Sequence, residues 1–256
     1  MIISNFIERR SIGFDTYIPQ NIIQTFRNND INPFIYYNIN NLLEKNPCYN
    51  YIFINDNTGL ELIKNNFNED VLAAYMKLNI GAAKADFIRY IALYLYGGLY
   101  LDLDAKIDID LLSFIPKDKD FVFFYDEDMN LLQWCFMIKP RHIIMGKIIE
   151  EMINRIQHGE NNIFLATGPT VFSDTIFNFM HNTKIYDTNI NVSKEYREQV
   201  FKTNRVFMNG MILNELDYKD VLFDKMPGYN NEMLYDSENE KYIETYRCET
   251  PGLYKP

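Results

Sequence analysis

The clearest pattern of apolar and polar positions lies in residues 81–104, GAAKADFIRYIALYLYGGLYLDLD. Between Ala82 and Tyr96 there is no proline or glycine, and alanine and leucine, both good helix formers, recur. This stretch predicts a helix. Gly97 and Gly98 predict its end, because glycine readily adopts the left-handed conformation that closes a helix.

The six residues after the glycines, LYLDLD at 99–104, alternate strictly between apolar and polar. In a strand this period of two places the three leucines on one face, and Tyr100, Asp102 and Asp104 on the other. Two neighbouring carboxylates are costly to hold together without a partner. A hard divalent cation such as magnesium, calcium or manganese is the simplest partner, and an acidic strand end in water is the alternative.

The predicted helix carries an acid and a base three residues apart, Asp86 and Arg89, and therefore on one face. The two side chains can pair with each other, or they can reach toward a ligand as a carboxylate and a bidentate donor. An exposed ion pair on a helix surface is the alternative interpretation.

The rest of the chain alternates between short buried strands and amphipathic helices, which predicts an α/β fold. The predicted strands are residues 21–26, 51–56, 121–125 and 131–138. The predicted helices are residues 35–44, 59–67, 70–78 and 143–156, with a further helix at 194–201 and a strand at 205–211. Asn55 and Asp56 follow a strand, where they either face a ligand or cap the next helix. His142, at a helix start, is interpreted as structural.

Length and charge limit the classes of function. The 256 residues, 47% of them apolar, suffice for one large domain with a sizeable core. A net charge of −10 disfavours nucleic acid or an anionic membrane as a partner. Three widely separated cysteines favour a reducing compartment. We see no signal peptide or apolar stretch long enough to span a membrane, and so expect a cytoplasmic or otherwise soluble protein.

Residues 85–104 resemble the signature of the DXD-containing, sugar-binding glycosyltransferases. This family includes yeast Golgi mannosyltransferases, capsular polysaccharide sugar transferases and, more remotely, the catalytic domains of clostridial glucosylating toxins. Its pattern of Asp-x-x-Arg-Tyr, Gly-Gly and apolar-Tyr-apolar-Asp-x-Asp stands here as ADFIRY at 85–90, then GG and LYLDLD. A weaker resemblance extends over residues 17–172. It includes the Thr-Gly-Pro loop at 167–169, whose helix start could face a phosphate or the acceptor.

The resemblance implies a GT-A type fold, with a Rossmann-like nucleotide-binding half and a central mixed sheet flanked by helices. We expect residues 1–256 to form one such domain, whose part from 173 to 256 is divergent. The implied reaction moves a sugar from a nucleotide diphosphate donor to an acceptor hydroxyl on a glycan, lipid or protein, with retention of configuration. The implied cofactors are Mn²⁺ or Mg²⁺ and a nucleotide sugar, a UDP-sugar in preference to GDP-mannose.

The resemblance also implies a role for each matching residue. Asp104 would bind the metal directly, and Asp102 would contact both the ribose and the metal. Asp86 and Arg89 would hold the sugar hydroxyls and the phosphate side. Tyr100 would reach the leaving phosphate. Phe26, at the end of the first long strand, would either stack on the nucleotide base or be a buried core residue.

Other interpretations remain open. Asp108 and Asp110 form a rival Asp-x-Asp pair, although Asp110 precedes Leu-Leu-Ser-Phe in the manner of a helix cap. Many relatives end in a His-x-x-x-Ser-Trp-like element, which is absent from this chain. A non-catalytic nucleotide-sugar-binding module is therefore the main alternative function. A phosphatase with an Asp-x-Asp strand is disfavoured, because Lys106 stands where that class has threonine or valine.

Overall fold

The computed structural model describes residues 1–8, 16–107, 109–114, 117–126 and 130–181, together with strand segments at 210–214, 224–225, 229–236 and 241–248. Its strands are β1 (Phe6–Ile7), β2 (Asn21–Thr25), β3 (Asn50–Ile54), β4 (Gly98–Leu101), β5 (Ala105–Lys106), β6 (Phe121–Tyr125), β7 (Cys135–Ile138), β8 (Gly210–Asn214), β9 (Asp224–Lys225), β10 (Tyr229–Asp236) and β11 (Lys241–Cys248). Its helices are α1 (Pro33–Lys45), α2 (Asp56–Asn66), α3 (Glu69–Lys77), α4 (Gly81–Tyr96), α5 (Leu111–Phe114), α6 (Ile143–Gln157), α7 (Ile163–Ala166) and α8 (Pro169–His181).

A mixed sheet in the order β1-β3-β2-β4-β7-β6-β8 forms the centre of the fold. Strands β3, β2 and β4 are parallel, whereas β7 pairs antiparallel with both β4 and β6. The carboxyl ends of β2, β3 and β4 and the amino end of β7 therefore meet at one edge of the sheet. That edge is where open α/β sheets bind their ligands.

Helices cover the sheet on both faces, so β4 is buried on both sides. Leu99 and Leu101 pack into a cluster with α1, while Tyr100 packs with α4, α6 and α8. We predicted that the leucine face is core, and this is confirmed. The opposite face is also core, because Tyr100 is only 1% exposed. The carboxylates after Tyr100 avoid burial because the strand ends before them.

The predicted strand over 99–104 is too long. Strand β4 stops at Leu101, and the amide of Ala105 donates to the carbonyl of Asp102 across 3.0 Å, which turns the chain. Asp104 thus lies in a turn rather than on a strand face. The predicted strand over 131–138 is likewise shorter, since β7 begins only at Cys135.

Most of the helices form close to where the sequence predicts them. Helix α1 buries Ile39, Leu42 and Leu43 as its amphipathic pattern indicates. His142 is the structural residue expected, because its Nδ1 accepts from the amide of Ile144 at 3.2 Å and so begins α6. The strand expected over 205–211 overlaps β8 by two residues, and the helix expected over 194–201 lies outside the described residues.

Candidate active site

Helix α4 and strand β4 are joined so that their functional side chains meet. Gly97 and Gly98 have φ angles of 62° and 114°, a backbone conformation that residues with a side chain rarely adopt. A Cβ on Gly98 would lie 2.4 Å from the carbonyl oxygen of Asn21, at the start of β2. The glycines therefore let the chain reverse tightly and bring β4 against β2. As a result Asp86 and Arg89, on α4, lie beside the end of β4.

The guanidinium of Arg89 lies at the centre of the site. Its Nη2 is 2.9 Å from Oδ1 of Asp102 and 3.1 Å from Oδ1 of Asp86, and its Nη1 donates to the carbonyl of Gln133 at 2.9 Å. The Arg89 side chain is 5% exposed and that of Asp86 is 9% exposed. The alternative interpretation of an exposed ion pair is therefore wrong, because both side chains are buried. Burial also makes each charge depend on the other for compensation.

Asp86 has additional hydrogen-bond donors from two distant segments. Thr167 Oγ1 donates to its Oδ2 at 3.1 Å, and Gln133 Nε2 donates to its Oδ1 at 3.3 Å. Burial raises the pKa of Asp86 to about 7, and the nearby charge of Asp102 acts in the same direction. The Arg89 guanidinium and the two hydrogen bonds lower that pKa, but they do not outweigh burial.

The carboxylate of Asp102 is held by Tyr100 as well as by Arg89. The Tyr100 hydroxyl donates to Asp102 Oδ1 at 2.9 Å and lies 2.9 Å from the hydroxyl of Thr25. The Arg89 guanidinium carbon lies 4.5 Å from the centre of the Tyr100 ring, in a cation–π contact. Burial lowers the pKa of Arg89, but Asp102, Tyr100 and Asp86 together raise it by more, so the guanidinium stays charged.

These side chains form part of the wall of a cleft of about 570 Å³ at the carboxyl edge of β2, β3 and β4. The residues that the sequence singled out, and that line this cleft, are Phe26, Asp86, Arg89, Tyr100, Asp102 and Asp104. The size falls within the range of small-ligand sites in proteins. The structure thus brings all six residues to one cleft.

Phe26 and the end of β3 line the same cleft. Phe26 is partly exposed there, so the purely buried alternative for it is wrong. Asn55 accepts from the amide of Thr58 at 2.9 Å and caps α2, as the alternative for that residue proposed. It nevertheless lines the cleft, as does Asp56. The cap interpretation of Asn55 is confirmed, and its role toward a ligand stays a prediction.

The acidic residues of the cleft can be tested as ligands of the divalent ion that the family implies. Within the described ranges, no group of three or more His, Cys, Asp or Glu side chains could hold a metal ion. Asp102 and Asp104 supply carboxylate oxygens, which suit magnesium or manganese. Such ions commonly take one or two carboxylates and complete their shell with substrate phosphates and water. The donor set therefore fits an ion that arrives with a diphosphate.

Asp110, from the rival aspartate pair, is not among the described residues that line the cleft. Asp110 Oδ1 accepts from the amide of Leu112 at 3.0 Å, and its Oδ2 accepts from the hydroxyl of Ser113 at 2.7 Å. Asp110 is thus the helix cap that the sequence predicts, at the start of α5. Asp108 lies outside the described residues.

Sequence reasoning missed several polar residues that hold the site together. Gln133 and Thr25 carry no motif, Tyr90 stands in the Asp-x-x-Arg-Tyr signature without an assigned role, and Thr167 was noted only as part of the Thr-Gly-Pro loop. Each acts through contacts with segments far away along the chain. The signal that could have found Gln133 is its place just before a buried strand that neighbours β4.

Comparison with known proteins gives consistent results. The family described as glycosyltransferase sugar-binding region containing DXD motif matches residues 35–121. An uncharacterised glycosyltransferase of Acanthamoeba polyphaga mimivirus is 30% identical over 156 residues, which are 60% of this chain and 62% of that protein. An initiation-specific alpha-1,6-mannosyltransferase of Candida albicans is 27% identical over 177 residues, which are 54% of this chain and 46% of the other.

The chain thus covers less than two thirds of the length of both relatives. Among solved structures, the PaToxG glycosyltransferase superposes with a TM-score of 0.53 at 18% identity, over 72% of this chain and 78% of the other. That likeness establishes the GT-A fold. No helix among the described residues is long and apolar enough to cross a bilayer. The resemblance seen in the sequence is confirmed, since residues 35–121 match the family model of the DXD-containing glycosyltransferase sugar-binding region.

Proposed function

We propose that the cleft binds a nucleotide diphosphate sugar and transfers the sugar to the hydroxyl of an acceptor. The observation that carries this proposal is the placement of Arg89 between Asp86 and Asp102, with Asp104 in the same cleft. This arrangement offers a fixed cation, a carboxylate that can accept from sugar hydroxyls and an acidic pair that suits a metal ion. These three features match the diphosphate, the sugar hydroxyls and the metal ion of such a donor.

The donor's parts would bind along the edge of the sheet. The nucleotide base would stack on Phe26, after β2, where a partly exposed aromatic ring lines the cleft. Asp102, after β4, would accept from the ribose hydroxyls. Asp86 would accept from the hydroxyls of the sugar, and this role needs its ionised form.

Asp102 and Asp104 would hold the divalent ion. Both hydrogen bonds that the Asp102 carboxylate accepts from described residues end on Oδ1, so Oδ2 is the oxygen offered to a metal. A bound Mn²⁺ or Mg²⁺ would act as a Lewis acid that neutralises the charge of the leaving diphosphate. Tyr100 already donates to Asp102, and would contribute by fixing this carboxylate beside the leaving phosphate.

Arg89 would act mainly as a fixed positive charge. Its two terminal nitrogens are occupied by Asp86, Asp102 and the carbonyl of Gln133, so it cannot swing freely to clasp a ligand. A cation held in advance costs no reorganisation when negative charge grows on the diphosphate. Its benefit is therefore larger in the transition state than in the ground state.

The finer assignments are a UDP-sugar as donor, with GDP-mannose as the alternative, and retention of configuration. Retention would follow from attack on the same face as the departing diphosphate, without a protein nucleophile. The names of the yeast relatives, which are mannosyltransferases, support including GDP-mannose. The acceptor class proposed is a hydroxyl on a glycan, lipid or protein.

The test is to incubate the purified chain with Mn²⁺ and each common nucleotide sugar, and to measure the nucleoside diphosphate released. Release from one donor that stops on chelation would support a metal-dependent transferase. Proton NMR of the first sugar product would then give its anomeric configuration. Saturable binding without release, with a range of acceptors present, would favour the binding-module alternative. The absence of both binding and release would contradict the proposal.

A further inference from the structure

Gln133 touches both members of the buried ion pair on α4. Its side-chain Nε2 donates to Asp86 Oδ1 at 3.3 Å, and its backbone carbonyl accepts from Arg89 Nη1 at 2.9 Å. It precedes β7, the strand that neighbours β4, and it lines the cleft. No motif in the sequence marks this residue.

The orientation of the Gln133 amide is determined by a tyrosine. The Tyr90 hydroxyl donates to Gln133 Oε1 and also lies 3.2 Å from the carbonyl of Thr167. Because Oε1 receives this proton, Nε2 is the end of the amide that faces Asp86. A reversed amide would turn an oxygen toward a carboxylate, which is repulsive while that carboxylate is charged.

Gln24 forms a similar arrangement on the other side of β4 and supplies a matched comparison. The Tyr51 hydroxyl donates to Gln24 Oε1 at 2.9 Å, and Gln24 Nε2 donates to the backbone carbonyl of Asp102 at 3.2 Å. Gln24 is fully buried and contacts no carboxylate oxygen in these hydrogen bonds. The two glutamines therefore share a chemistry but differ in whether they touch a carboxylate.

We propose that Gln133 is a positioning residue that orients the carboxylate of Asp86, so that Asp86 pairs with Arg89 while it faces the cleft. The groups that face Asp86 come from several elements. Arg89 shares its helix, Thr167 follows α7, and Gln133 precedes β7. The charge of Asp102, after β4, acts on it as well. Among these, Gln133 alone holds Asp86 with its side chain and Arg89 with its backbone.

The first test needs no ligand and uses the full chain. Carboxyl carbon NMR would follow the titration of Asp86, assigned with the D86N variant, in wild type, Q133L and Q24L. Loss of a hydrogen bond to the ionised form should raise the Asp86 midpoint in Q133L by about one pH unit, while Q24L leaves it within a few tenths. An unmoved midpoint in a folded Q133L would overturn the proposal.

A second variant covers the case in which Q133L does not fold. Y90F keeps the glutamine but removes the hydroxyl that sets its amide, and it changes the side-chain volume little. The proposal expects the Asp86 midpoint to rise in Y90F too, by less than in Q133L. A midpoint in folded Y90F equal to that of wild type would contradict the assigned orientation.

A binding experiment then separates positioning from a general structural role. This experiment rests on the proposed function, in which Asp86 accepts hydrogen bonds from the hydroxyls of the sugar. With Mn²⁺ present, Q133L should bind UDP-glucose or GDP-mannose about tenfold more weakly and bind UDP or GDP as wild type does. Equal weakening of sugar and diphosphate would make Gln133 structural and overturn the proposal. Wild type that binds neither nucleotide sugar would contradict the proposed function, while the titration still decides the role of Gln133.

Discussion

Asp102 and Asp104 differ in their surroundings from Asp110, which belongs to a second segment with the same Asp-x-Asp spacing. Asp102 and Asp104 follow a central strand at the carboxyl edge of a parallel sheet, and both line the cleft. Asp110 is exposed, and both of its carboxylate oxygens accept hydrogen bonds from the start of α5. We therefore propose that an acidic pair acquires its role from the strand end on which it lies and from the buried cation nearby.

Removal of that cation is expected to have the largest effect. In Arg89→Met, Asp86 and Asp102 would face each other without a positive charge, which should lower the free energy of unfolding by about 3–5 kcal/mol. If the variant folds, turnover should fall more than donor binding, because the cation acts chiefly in the transition state. Urea unfolding and steady-state kinetics give the two quantities.

Arg155→Met is the matched control, since Arg155 is another buried arginine, paired with Glu151 at 2.8 Å. It does not line the cleft, so its loss should affect stability and leave the ratio of turnover to donor binding near that of wild type. Weaker donor binding with unchanged turnover in Arg89→Met would mean that the cation stabilises the ground state and the transition state equally.

A pH dependence of stability should follow from the burial of Asp86. Its pKa is about 7 in the folded protein, against an ordinary value of 3.8. Between these values the folded chain holds a proton that the unfolded chain releases, so this group's contribution to stability is complete below about pH 4 and is lost as pH rises toward 7. The slope is at most about 1.4 kcal/mol per pH unit.

Urea unfolding of wild type and D86N, at several pH values from about 4.5 to 7.5, checks this expectation. The asparagine cannot ionise, so the difference in unfolding free energy between the two proteins should shift in favour of D86N as pH rises. Parallel pH profiles would show that Asp86 ionises as an ordinary carboxyl.

A smaller effect is expected from Phe26, at the same edge of the sheet. Phe26→Ala should weaken nucleoside diphosphate binding about tenfold, because stacking on a base is worth about 1–3 kcal/mol. Tyr37→Ala, on α1 and outside the cleft lining, is the control and should bind as wild type. Isothermal titration with UDP and GDP measures both variants. Unchanged affinity in Phe26→Ala would show that the base does not bind at this end of the cleft.

The smallest effect belongs to the second aspartate pair. Asp110→Ala removes a cap from α5 and should lower the free energy of unfolding by about 1 kcal/mol, the usual cost of losing such a cap. Donor binding and turnover should stay at the wild-type level, since Asp110 does not line the cleft. A large loss of activity in a folded Asp110→Ala protein would contradict the expectation that only the first pair supports activity.

The parts of this fold that could be predicted are those determined by local pattern. Helix α4 and the Gly97-Gly98 stop follow from composition and from glycine's conformational freedom. Asp86 and Arg89 share a face because they are three residues apart on a helix. The family signature then predicted that Asp102 and Asp104 belong to the same site as that helix.

Two features could not be predicted, for different physical reasons. The alternation of LYLDLD continues past Leu101, but the hydrogen-bonded ladder does not, and periodicity cannot show where pairing ends. Gln133 reaches Asp86 across 47 residues of sequence, and Thr167 does so across 81. Such contacts depend on the order of strands in the sheet, which local pattern does not encode.

The central claim is that Asp102 and Asp104, and not the second pair, support donor turnover in this cleft. The most direct measurement is the rate of nucleoside diphosphate release, with Mn²⁺ and the preferred nucleotide sugar, for wild type, the double variant Asp102→Asn with Asp104→Asn, and Asp110→Asn. We predict a loss of at least about a hundredfold in the folded double variant and an unchanged rate in Asp110→Asn. A folded double variant that releases the diphosphate as fast as wild type would contradict this prediction.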